Sequence, residues 1–106
     1  MSKNADPIDP QNCTSMADVR AGVDAIDVQL VALLAKRFGY MDAAARIKID
    51  RNAVRDEARK LEVLANVERH AMAMGLDPAR ICRIWDELVE QSIAYELQKW
   101  DDSRSN

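Results

Sequence analysis

The chain has 106 residues and a net charge of −3; 48% of its residues are hydrophobic and only 5% aromatic. That length supports one domain with a core of its own. The acidic balance argues against general nucleic-acid binding, which draws on basic surface to displace counterions, and no apolar run approaches the roughly 18–20 residues that span a membrane.

Three glycines and three prolines leave little punctuation for a many-stranded fold, and the abundance of Ala, Leu, Met, Arg and Glu favours helix over sheet. The expected fold class is all-α. Residues 1–13 read as a flexible lead-in: the stretch is polar, carries Asp6, Pro7, Asp9 and Pro10, and does not resemble a signal peptide. A cytoplasmic protein is expected. Cys13 and Cys82 have no metal-ligand spacing and read as reduced structural thiols.

The helical domain is expected over residues 14–100. Helix one starts at Ser15, where Ser15 and Asp18 have capping-box spacing. An apolar stripe follows in steps of four and three through Val19, Val23, Ile26, Leu30, Leu33, Tyr40, Ala44 and Ile47. Some 30 residues of helix measure about 45 Å, more than a three-helix domain of this size can cover. Three helices with a long first one therefore point to an intertwined helical homodimer in which a second copy covers the overhang. A monomer would leave that stripe wet.

Asp50, Arg51 and Asn52 mark the break after helix one. Helix two is expected from about Val54 or Asp56 to Met74, with Ala58, Leu61, Leu64, Ala71 and Met74 inward. Gly75 reads as the residue past its end, Asp77 as the next N-cap and Pro78 as the first residue of helix three. Helix three is expected to continue to about Trp100 with Ile81, Trp85, Leu88 and Val89 on its apolar side, leaving residues 101–106 as a polar tail.

The informative residues are polar ones on apolar stripes. Arg37 follows Leu33 on the seam of helix one and, if buried, needs an anionic partner; a structural ion pair or a guanidinium snorkelling outward would also satisfy it. Lys48 lies about three turns further along nearly the same face, where a solvated helix-end cation is the ordinary alternative. On helix three the seam reaches Ser92 and Glu96, one turn apart; a small error of register would place Glu96 at the surface. Arg46, Lys48, Arg51, Arg55, Arg59 and Lys60 form a basic cluster in an otherwise acidic chain, which fits a small anionic ligand or a solvated helix junction. Arg20 lies about 25 Å along the helix axis from Arg37, so both can reach one small ligand only from different subunits.

Val19-Arg20 through Asp24, Ile26-Asp27, Leu30, Leu33-Leu34-Ala35, Lys36-Arg37 and Lys48 resembles the first helix of the all-helical chorismate mutases. Val54-Arg55-Asp56 with Arg59 resembles the start of their second helix, and Ser92-Ile93-Ala94-Tyr95-Glu96 the active-site turn of their third. The resemblance implies that Arg37 and a partner-chain Arg20 hold the two substrate carboxylates. Lys48 and Glu96 would flank the ether oxygen, with Asp56, Arg59 and Ser92 completing the wall. It implies the rearrangement of chorismate to prephenate, on the route to aromatic amino acids, with no metal and no cofactor.

Two positions depart from the family's pattern: Lys60 stands where the mutases usually carry a glutamate, and Glu96 where many carry glutamine. Glu96 can assist only as a protonated donor. The opening Asn12-Cys13-Thr14-Ser15-Met16-Ala17-Asp18 resembles that of the isochorismate–pyruvate lyases, which share the fold, so salicylate and pyruvate are the alternative products. An alternative of another class is a non-catalytic dimeric helical interaction module, with the polar seam residues setting register.

Overall fold

The computed structural model describes residues 7–105. These contain three α-helices, α1 (Met16–Ile47), α2 (Glu57–Ala73) and α3 (Pro78–Arg104), with 3₁₀ turns at Pro10–Asn12 and Arg51–Ala53. The all-α expectation holds, and the first helix is the longest. Residues 1–6 and 106 of the expected lead-in and tail lie outside the described residues. The chain divides into two units, one ending at Arg37 and the other beginning at Phe38.

In the first unit, Ser15 Oγ accepts from the Asp18 N–H at 3.1 Å, as the capping spacing requires. Asp18 returns the favour one residue further back than a capping box does, accepting from the Thr14 N–H at 3.1 Å. That bond is the largest cause holding the Asp18 carboxyl below its ordinary range. Ile8 and Cys13 of the leading segment and Val19, Val23 and Ile26 of α1 line a largely apolar groove of about 490 Å³. None of the expected site residues lines it.

The second unit is built on α2 and α3. Asp56 caps α2 by accepting from the Arg59 N–H at 3.0 Å. The helix ends in a Schellman motif: Leu76 N–H donates to Ala71 O at 2.8 Å and Gly75 N–H to Met72 O at 3.1 Å. Gly75 has φ +75°, which a side chain would disfavour. Asp77 then caps α3, accepting from the Ala79 N–H at 3.1 Å, with Pro78 in the first turn. Val54, Val89 and Ile93 form the buried core, with Val63, Leu97 and Trp100 packed against them.

Two expected stripes are corrected. On α2, Leu64 is half-buried and Ala71 buried, but Ala58, Leu61 and Met74 are exposed; the inward row is Lys60, Val63, Leu64, Val67 and Ala71. Lys60 occupies a position that a hydrophobicity pattern assigns to its neighbour Leu61, because Glu90 Oε2 at 2.6 Å and Asp86 Oδ1 at 3.0 Å pair with its ammonium. In the last turns of α1, Ala44 is half-buried as expected, but Tyr40 and Ile47 are exposed, and the inward set also includes Phe38, Met41, Asp42, Ala43 and Ala45. Tyr95 selects this face: its ring meets Phe38 edge-on at 4.9 Å and its hydroxyl donates to Asp42 at 2.8 Å. Helix α3 runs on to Arg104, past the expected end at Trp100.

Arg55 joins Lys60 on Glu90, with Nη2 2.7 Å from Oε1. The two cations, Arg55 first, hold the Glu90 carboxyl down to about 2 from an ordinary 4.5. A carboxyl depressed in the folded state adds stability above its unfolded value and loses it as pH falls through the folded one. Glu90→Gln is therefore expected to lower Tm at neutral pH, and the gap to wild type to close between about pH 4.5 and 2. A thermal-melt series across that range, showing instead a constant gap, would contradict this.

Candidate functional site

The buried residues of α3 are Val89, Ser92, Ile93 and Glu96. Ser92 and Glu96 are each 4% exposed and lie on the inward stripe, as the sequence pattern indicated. Ser92 Oγ donates to the Leu88 carbonyl at 2.7 Å, which satisfies the hydroxyl proton within its own helix. Glu96 has no such local partner.

Lys48, the first residue after α1, fills that role. Its Nζ stands 2.8 Å from Glu96 Oε2, and the two side chains are 29% and 5% exposed. The contact is an ion pair at the distance of a charge-assisted hydrogen bond. A carboxylate in this position is costly unless it is balanced by charge. The pair thus places one cation and one carboxyl group beside each other on the buried side of α3. A ligand oxygen arriving here would meet an ammonium and a carboxyl group together.

The other expected residues are placed as follows. Arg20 is exposed and Arg37 half-buried on α1, both in the first unit. Asp56 serves as the α2 cap, and Arg59 pairs with Glu62 on the exposed face of the same helix. The structure therefore brings Lys48, Ser92 and Glu96 onto the buried side of the second unit and leaves Asp56 and Arg59 at its surface. Lys60, the departure from the family pattern, is committed to Asp86 and Glu90.

Sequence reasoning missed the surroundings of Lys48. Trp100 and Arg104 both bond to its carbonyl. Their i, i+4 spacing was the available signal, but the apparent polar tail concealed it.

No helix among the described residues is long and apolar enough to cross a membrane. The sequence profile of the chorismate mutase type II family matches residues 19–97. The chain is also similar to an isochorismate pyruvate lyase of Pseudomonas aeruginosa, with 30% identity over 95 residues that cover 90% of this chain and 94% of that protein.

Proposed function

Because the chain belongs to the chorismate mutase type II family, we propose that it rearranges chorismate to prephenate. The observation that carries this reading is the Lys48–Glu96 pair at 2.8 Å on the buried side of α3. The reaction is pericyclic and needs no nucleophile. The protein's task is to hold a flexible dianion in a chair-like conformer and to stabilise negative charge growing on the ether oxygen.

Arg37 and Arg20 of the partner subunit take the two carboxylates, since guanidinium forks match carboxylate geometry. Lys48 stands at the ether oxygen, where a donor of this kind typically contributes about 3–4 kcal/mol to the transition state. Glu96, when protonated, donates to the same oxygen. Asp56, Arg59 and Ser92 complete the wall in this reading.

A homodimer is part of the proposal. Val19, Val23, Ile26, Leu30 and Leu33 are 39%, 51%, 52%, 51% and 63% exposed. An apolar row of this length is unfavourable in water and fits a helical partner face.

A second reading is supported by the similarity to the Pseudomonas aeruginosa lyase and by the opening segment: elimination of pyruvate from isochorismate, using the same clamp. Separate incubation with chorismate and isochorismate, with the products identified, tests the two. Prephenate with the higher kcat/KM supports the mutase, and salicylate plus pyruvate supports the lyase. Turnover of neither supports the interaction module.

Glu96→Gln keeps a donor beside Lys48 and is expected to retain much of the wild-type kcat, whereas Glu96→Ala is expected to lose it. Equal losses in the two variants would remove Glu96 from the donating role.

A further inference from the structure

The last turns of α3 fasten the residue that carries the proposed chemistry. Arg104 reaches back to the end of α1, where Nη1 donates to Ala45 O at 3.0 Å and Nη2 to Lys48 O at 2.7 Å. The Lys48 carbonyl accepts a second bond, from Trp100 Nε1 at 3.1 Å. The Arg104 guanidinium lies over the Trp100 ring, 4.2 Å from its centroid. Just beyond Lys48, Arg51 is gripped by Asp101 through Nε at 2.8 Å and Nη2 at 3.2 Å.

The final carbonyls of a helix have no partner within it, and a cation there also complements the helix dipole. Capping alone accounts for one donor on Ala45. It also accounts for one donor on Lys48, whose N–H still donates to Ala44 O at 2.9 Å as the last helical bond of α1, but it does not require the second donor there. Glu96, Trp100 and Arg104 recur every four residues and so share one face of α3. That face meets Lys48 at both ends: Glu96 at the ammonium, Trp100 and Arg104 at the carbonyl.

We infer that Trp100 and Arg104 are positioning residues that fix the Lys48 backbone, so that its ammonium stands at a constant place beside Glu96. This rests on the reading of Lys48 as the group at the ether oxygen. A lysine on a long flexible stem loses effectiveness when its root moves, and a misplacement of about 1 Å can cost up to about 10²-fold in rate. The effect should fall on kcat, because Lys48 acts on charge present only in the transition state.

The test is a double-mutant cycle on full-length protein, using whichever of chorismate or isochorismate wild type turns over. Trp100→Phe keeps an aromatic ring beneath Arg104 and removes the N–H together with the five-membered ring of the indole, which packs against the core; Arg104→Ala removes the fork. Circular dichroism melts confirm folding, and Trp100→Phe carries the test if Arg104→Ala does not fold. Expected are a several-fold loss of kcat for Trp100→Phe and roughly tenfold for Arg104→Ala, with KM within about twofold. In a Lys48→Ala background neither change should lower kcat further. Equal losses in both backgrounds, or unchanged kcat in the single variants, would overturn the positioning role alone. Wild-type turnover by Lys48→Ala would overturn the catalytic reading and the positioning role with it.

Discussion

Lys48→Ala is expected to lower kcat by about 10²–10³-fold while changing KM far less. The ammonium is the cation placed against the buried Glu96 carboxyl, and its attraction for an ether oxygen grows as the bond to that oxygen breaks. The same substitution strands Glu96, which is 4% exposed. An unpaired buried group of this kind costs about 1–3 kcal/mol, or on the order of 10 °C in Tm for a domain of this size. Adding Glu96→Gln removes the stranded charge. The double variant should recover much of the Tm and none of the kcat. If kcat returned together with Tm, Lys48 would be structural only.

Arg20→Ala and Arg37→Ala are each expected to be nearly inactive alone and to regain activity when mixed. Both arginines lie on α1, about 25 Å apart along the axis, and the proposal joins Arg37 of one protomer with Arg20 of the partner subunit. A heterodimer of the two variants contains one site with both arginines and one with neither. Random exchange makes half the dimers mixed, so about one quarter of wild-type activity should return. The variants are unfolded together, refolded and assayed beside each refolded alone. No recovery, with dimers verified by light scattering, would place both arginines within one protomer's site or outside the site altogether.

The caps and stops were legible in the residues because they are local chemistry. Ser15, Gly75, Asp77 and Pro78 act through backbone groups a few positions away. The inward placement of Ser92 and Glu96 was legible too, since α3 keeps one periodic face from Ile81 onward. The faces of α2 and of the end of α1 were not. Each is decided by polar contacts with α3, Lys60 with Glu90 and Asp86 in one case and Asp42 with Tyr95 in the other. A hydrophobic count treats those residues as solvent-facing. The hold on Lys48 was hidden for a related reason: Arg104 acts on carbonyls 59 and 56 positions earlier, a pairing that no local pattern reveals.

The central claim is that this member of the chorismate mutase type II family uses its helical polar face to turn over a chorismate-type dianion. Following chorismate absorbance with purified wild type and with Arg37→Ala tests it most directly. The account predicts loss of the chorismate signal with prephenate as product, and at least a hundredfold slower loss in the variant, as expected when a charge-assisted carboxylate clamp is removed. A wild-type protein that leaves both chorismate and isochorismate unchanged, or an Arg37→Ala variant as fast as wild type, would contradict it.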